Sequence, residues 1–162
     1  MDPLSMPKSR IILGLNSGTS ADGVDAAACE ITGRGLAMRV RLRGYGHRAY
    51  RDALRRRLLG VMAPARTSTK ELCRLEVEVG RAFADAAAAV VRKLKLRRVD
   101  LVGSHGQTIC HLPPHQLPLP FGERAGVRVR TRKASGTLQI GDPTVIAARL
   151  KCPVVHHFRQ AD

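Results

Sequence analysis

The 162-residue sequence has no tryptophan, only three phenylalanines and only two tyrosines. Platforms that stack nucleic-acid bases need aromatic side chains, so that class of binding finds little support. No apolar run approaches the roughly 18 residues of a membrane span. The opening MDPLSMPKSR also lacks the apolar core of a signal peptide. The chain therefore reads as soluble and cytoplasmic. Cys29, Cys73, Cys110 and Cys152 stand far apart, with no C-x-x-C pair. That removes the usual zinc and thiol-redox spacings and leaves buried thiols in a reducing compartment. Acidic residues are scarce: 13 Asp plus Glu stand against 28 Lys plus Arg, a formal net charge of +15. Such a field draws phosphates, nucleic acid or acidic surfaces without identifying the site that receives them.

What is present alternates in character along a length that fits one domain. Residues 1–9 are expected to form a disordered tail. RIILGLN, from Arg10, is a short apolar run of the kind that makes a buried strand. Asp22 and Gly23 form a hairpin dipeptide, VDAAACEIT runs back as a second strand, and Gly33 and Gly35 turn the chain again. LAMRVRLRGYG then alternates apolar and basic residues like a half-exposed third strand, completing an antiparallel meander. Residues 50–62 read as a basic helix stopped by Pro64. Ser68 and Glu71 form a capping-box pair, and Leu72, Leu75, Val79, Phe83, Ala86 and Val90 follow at helical spacing, predicting a core-packing helix to about Leu96.

The remainder brings strands and polar segments together. VDLVGSHGQT reads as a strand passing into a polar turn over residues 104–108. Residues 113–135 form a Pro/Arg-rich loop ending in a short hairpin. TLQIGD is a short strand, Pro143 to Leu150 a helix with Pro in its first turn, and CPVVHHF a last buried strand. NSGTSADG, SHGQT, QIGD and HHFRQAD each follow an apolar strand-like run, and in α/β sheets ligands gather at strand ends.

Gly18 lets backbone approach a ligand closely, while Thr19 and Ser20 offer hydroxyls and peptide N–H groups suited to phosphate oxygens. Asp22 and Asp25 repel phosphate directly, yet either can hold a magnesium ion through water. The Walker pattern is missing, since no Gly-Lys-Ser/Thr ending occurs. A plain Asp-Gly hairpin turn accounts for the same composition equally well. His105 beside Gly106 reads equally as a turn filler. His111 and His115 sit one helical turn apart, but Pro113 and Pro114 forbid the helix a zinc pair would need.

GLNSGTSADGVDAA, GSHGQTICH, GTLQIGDPTVIAARL and VVHHFRQAD, in order and spacing, resemble the successive motifs of the anhydro-N-acetylmuramic acid kinases over residues 10–162. The resemblance implies an α/β fold: the ribonuclease H-like (actin-like ATPase) lobe of the sugar kinase, actin and heat-shock-chaperone ATPase superfamily, with a mixed sheet opening in an antiparallel meander and flanked by helices. It implies an enzyme using ATP and Mg2+ that opens the anhydro bridge of 1,6-anhydro-N-acetylmuramic acid with water and phosphorylates the freed 6-oxygen. The product, N-acetylmuramic acid 6-phosphate, belongs to peptidoglycan recycling and amino sugar metabolism.

By the same resemblance Gly18, Thr19, Ser20, Ala21, Asp22, Gly23, Val24 and Asp25 form the ATP-phosphate loop. His105, Gly106, Gln107, Thr108, Gln139, Gly141 and Asp142 line the sugar side, and Arg159 pairs with the lactyl carboxylate or a phosphate. Asn16 departs from the pattern, since the superfamily usually has Asp there and this family commonly Met. His157 stands where the family often has Asp or Asn, and reads as a histidine at a solvated strand end.

Members of this family are more than twice as long as this chain, and the aspartate expected as general base follows Asp162. The chain is therefore expected to be an N-terminal lobe lacking its second lobe and inactive alone, because in-line phosphoryl transfer needs both walls of a cleft. Its last strand and open sheet edge are expected to be exposed. The expected partners are an amino sugar and a nucleotide, with a homodimer left open for the full-length protein. The rival reading is a basic nucleic-acid-binding module, with Arg128, Arg130 and Arg132 of RVRTRK along one strand face. Scarce aromatics and the lack of a finger or helix-turn-helix signature oppose it.

Overall fold

A computed structural model of the chain describes residues 9–62, 66–112 and 136–158. Residues 1–8 of the tail expected over residues 1–9, Pro64, the Pro/Arg-rich loop with its basic hairpin, and Arg159 lie outside the described residues.

Strands β1 (Arg10–Ser17) and β2 (Gly23–Thr32) form an antiparallel hairpin in which side-chain alternation decides which face is buried. Leu13, Leu15 and Ser17 of β1 turn inward with Val24, Ala26 and Ala28 of β2, while the register partners Asn16 and Asp25 are exposed. Strand β3 (Arg39–Ala49) pairs antiparallel with β2 and completes the expected meander. Its first five residues are exposed on both faces, as befits an edge strand carrying arginines at alternate positions.

Strand β4 (Leu101–Leu112) runs parallel to β1. Its other side is shared: β6 (Val154–His156) lies parallel beside its first half, and β5 (Gly136–Ile140) antiparallel beside its second. The sheet therefore runs β3-β2-β1-β4 and then β5 or β6, a mixed sheet of the expected actin-like ATPase type. Two expectations are corrected. Residues 104–108 do not turn; they lie within β4. The strand absorbs Gly106, at φ 72°, through a register shift opposite Leu15 and Ser17, and β1 and β5 supply partners on both sides. Strand β6 is not buried: only Val154 packs against the core, while Val155 and His156 are exposed.

Helices α1 (Asp52–Met62), α2 (Thr69–Lys93) and α3 (Pro143–Leu150) complete the lobe. Helix α1 starts two residues later than expected because the Tyr50 N–H is drawn to the Asp22 carbonyl, at 3.0 Å, and stays with the hairpin. Helix α2 buries Leu75, Val79, Phe83, Ala86, Ala87 and Val90 against Leu13, Leu15, Val102 and Ile146. Fully burying a large aliphatic or aromatic side chain stabilises by about 1.5–3 kcal/mol, so this stripe holds the helix to the sheet. Ser68 caps α2 by accepting from the Glu71 N–H at 3.1 Å, but the Glu71 carboxylate turns to Arg57, so the reciprocal half of the capping box is not made. Among the described residues, no helix is long and apolar enough to cross a membrane.

Candidate functional site

Residues 18–22 join β1 to β2, and the carbonyls of Gly18, Ala21 and Asp22 in this turn face protein. The Gly18 carbonyl accepts from Gln107 Nε2 at 2.9 Å and closes the turn by accepting from the Ala21 N–H at 3.2 Å. The Ala21 carbonyl accepts from Arg55 Nε at 3.1 Å, and Asp22 from the Tyr50 N–H at 3.0 Å. Ser17 Oγ lies 2.6 Å from the Gly23 carbonyl and 2.7 Å from Gln107 Oε1, and donates to one of them at a time. The N–H groups of Thr19 and Ser20 have no backbone acceptor among the described residues. Ala21 holds the turn in place with a left-handed backbone, φ 47°, and a wholly buried methyl group. With the Gly18, Ala21 and Asp22 carbonyls turned inward, the Thr19 and Ser20 N–H groups are left for an anion.

The two glycines of the segment serve different needs. A Cβ on Gly18 would meet only Ser20 Oγ, at 3.6 Å, so this position is open to whatever approaches the turn. A Cβ on Gly23 would stand 2.5 Å from the Arg48 carbonyl oxygen, so packing against β3 requires glycine there. Beneath the turn, burial pushes the Tyr50 phenol up to about 12 against the lowering effect of the neighbouring Ser17. Among the described residues the Tyr50 hydroxyl has no hydrogen-bond partner.

Asp22 Oδ1 accepts from Ser20 Oγ at 3.0 Å, and that bond, ahead of the backbone N–H groups of Asp22 and Gly23, holds its carboxyl below the ordinary 3.8. Asp25 pairs with His47 Nδ1 at 2.8 Å, in one row with Asn16 across three strands. Val24, by contrast, is buried in the core. Among the described residues no three His, Cys, Asp or Glu side chains converge into a metal cage. Exposed Asp22 and Asp25 fit a magnesium ion that keeps several waters and needs one or two carboxylates beside the phosphates.

A second feature, a shallow crevice, opens where β4, β5 and α2 meet. It is lined by Ser104, His105 and Gly106 of β4, Gln139 and Ile140 of β5, Gly141, Glu76 of α2, and His156 with His157. Glu76 fixes the crevice wall: its Oε2 accepts from the Gly141 N–H at 3.1 Å and its carbonyl from the Asp142 N–H at 3.0 Å. His105 stands edge-tilted to Phe158, with ring centroids 6.0 Å apart. Ser104 Oγ is buried there, with no hydrogen-bond partner among the described residues.

The structure thus brings His105, Gly106, Gln139 and Gly141 together, and leaves three expected sugar-side residues elsewhere. Gln107 is fully buried, its amide shared among Gly18, Thr108 and Ser17. Thr108 is buried with Oγ1 accepting from Gln139 Nε2 at 3.2 Å. Asp142 caps α3, its Oδ1 accepting from the Thr144 N–H at 2.8 Å and from Thr144 Oγ1 at 2.6 Å. His157 lies exposed just past β6. Ser17, Ser104 and His156 lie within the polar segments NSGTSADG, SHGQT and HHFRQAD, where no role of their own was expected. Sequence reasoning missed Tyr50, Arg55 and Glu76, of which Glu76 alone carried a signal, a carboxylate set among Leu72, Leu75 and Val79 on the buried edge of α2.

The family described as Anhydro-N-acetylmuramic acid kinase matches residues 10–162. Proteins named anhydro-N-acetylmuramic acid kinase from Caldanaerobacter subterraneus, Salinibacter ruber and Streptomyces avermitilis are 37%, 39% and 38% identical over 157, 155 and 151 residues. The alignments cover 93–96% of this chain but 35–37% of those proteins, so the chain spans a little over a third of the length of the curated relatives it matches. Family match and relatives agree over nearly the whole chain: it belongs to the anhydro-N-acetylmuramic acid kinase family.

Proposed function

We propose that this chain supplies one wall of a kinase that uses ATP to open and phosphorylate 1,6-anhydro-N-acetylmuramic acid at its 6-oxygen, in the recycling of peptidoglycan. The observation that carries the reading is the turn over residues 18–22, whose Gly18, Ala21 and Asp22 carbonyls are tied to protein while the N–H groups of Thr19 and Ser20 have no backbone acceptors among the described residues. Preorganised donors of this kind stabilise phosphoryl oxygens without reorganising when charge develops. Gly18 gives the phosphates room, and Thr19 and Ser20 contribute the donors. Asp22 or Asp25 would hold magnesium through water, and the ion would neutralise phosphate charge.

The crevice, too small to enclose a sugar by itself, would form one edge of the amino-sugar site. Its donors and acceptors, Gln139, His105, the Ser104 hydroxyl and the backbone of Gly106 and Gly141, suit hydroxyl, lactyl and N-acetyl groups. Arg159 is proposed for the lactyl carboxylate or a phosphate. The general base and the contacts to adenosine are assigned to the part of the relatives beyond the region matched here. Phosphoryl transfer needs the acceptor held in line against the γ-phosphate. The 162-residue chain is accordingly expected to bind Mg-ATP weakly and to leave the sugar unchanged.

Calorimetry with Mg-ATP, followed by mass spectrometry of the sugar for the gain of one phosphate and one water, tests the reading. Binding without product from this chain, and product from the full-length protein, is the expected pair. A folded full-length protein that binds neither ligand would overturn it.

A further inference from the structure

A trans peptide unit is planar, so the carbonyl of one residue and the N–H of the next point in opposite directions. Whatever fixes the Gly18 carbonyl therefore also aims the Thr19 N–H, and whatever fixes the Ala21 carbonyl aims the Asp22 N–H. Both carbonyls are held by side chains from outside the hairpin: Gln107 Nε2 at 2.9 Å from β4 and Arg55 Nε at 3.1 Å from α1. We propose that Gln107 and Arg55 are positioning residues, which lock the two peptide planes of the turn so that their N–H groups face the nucleotide phosphates. The inference rests on the nucleotide reading above and adds residues that neither binds nor reacts.

Gln107 has no capacity left for a ligand. Its Nε2 protons go to the Gly18 and Thr108 carbonyls, its Oε1 meets Ser17 Oγ at 2.7 Å, and none of its surface is exposed. Arg55 is exposed on α1, so it can be changed without opening the core. A peptide flip at either position would swap a donor for a carbonyl lone pair facing the phosphates and would leave Gln107 Nε2 or Arg55 Nε without its acceptor on the other side. Two ties from two different elements hold the turn against both.

The test uses the 162-residue chain with Mg-ATP and inorganic tripolyphosphate as ligands and amide hydrogen exchange as a second readout. Arg55→Met is expected to weaken both ligands by about tenfold, the worth of one charge-assisted hydrogen bond. It should also speed exchange over residues 18–23 while α2 and β4 keep their protection. Arg56→Met removes the same charge from the neighbouring exposed position and should change affinity less than about twofold, while Arg55→Lys should restore most of the loss. Gln107→Glu, which places a carboxylate against two carbonyls, should lose phosphate binding while the α2 amides remain protected. Unaltered affinity and exchange in Arg55→Met, or equal losses in Arg55→Met and Arg56→Met, would overturn the proposal. Faster hairpin exchange in a chain that binds neither ligand would keep the clamp and discard the nucleotide reading.

Discussion

Gly80 and Asp142 meet backbone to backbone: a Cβ built on Gly80 would stand 2.7 Å from the Asp142 carbonyl oxygen and 3.0 Å from its nitrogen. This close approach lets α3 begin directly against α2, one turn beyond Glu76, which ties down Gly141 and Asp142. Gly80→Ala gains about 1 kcal/mol of helix propensity. It also forces a methyl group against backbone that cannot rotate away, an overpacking cost of about 1–3 kcal/mol. Urea denaturation is expected to record a net loss of about 1 kcal/mol. A raised midpoint would mean that α3 moves freely on α2.

Gly18 and Gly23 should separate binding from folding. Gly18→Leu has space around its Cβ and should leave the denaturation midpoint nearly unchanged, but its side chain occupies the approach to the Thr19 and Ser20 donors. Mg-ATP affinity should fall at least about tenfold. Gly23→Ala meets the backbone of Arg48 and Ala49 at 2.5 and 2.7 Å and should destabilise the hairpin by about 1–3 kcal/mol. Calorimetry on both variants checks the contrast, and equal nucleotide binding by Gly18→Leu and the parent chain would remove Gly18 from the site.

Arg57 joins the two helices by donating from Nε to Glu71 at 2.7 Å and from Nη1 to Glu78 at 2.7 Å. The hydrogen bond from Arg57 holds the Glu71 carboxyl below the ordinary 4.5, and its two carboxylate partners raise Arg57 in turn. A depressed carboxylate contributes stability that is full above its unfolded value and is lost as pH falls through the folded one. Arg57→Met should therefore lower the thermal midpoint near neutral pH, with the gap to the parent closing as pH drops below about 4.5. Added salt should narrow the gap as well, because all three side chains are about a third exposed. A gap that persists in acid would assign the effect to packing of the Arg57 stem.

What could be read from the chain beforehand depended on how local each cause was. The alternation of Leu13 and Leu15 with exposed neighbours, the stripe from Leu72 to Val90 and the Ser68 cap are short-range patterns, and β1, α2 and its start emerged as expected. SHGQT looked like a turn because a glycine among polar residues is locally turn-like. It stays in β4 because β1 and β5 pair with it from distant parts of the sequence. The same distance hid the partners of Gln107, which was expected on the sugar side and instead meets Gly18 and Ser17, 89 and 90 residues away. Arg55 sits in a run of three arginines, and only the fold distinguishes it from Arg56 and Arg57.

Ser104 offers the sharpest check on the crevice. Its hydroxyl is buried without a partner beside His105 and Gly106, and a buried donor left unpaired costs about 1–3 kcal/mol. Removing it should cost the ligand-free chain nothing: Ser104→Ala is expected to match the parent in urea or to gain about 1 kcal/mol. With 1,6-anhydro-N-acetylmuramic acid the sign reverses. A hydroxyl that pairs only with the sugar makes Ser104→Ala bind it about tenfold more weakly. Stability held or raised while sugar affinity falls is a combination that general damage to the fold does not produce, because damage lowers both. Calorimetry with the sugar and a urea titration on the same two proteins decide it, and unchanged affinity would place the amino sugar outside this crevice.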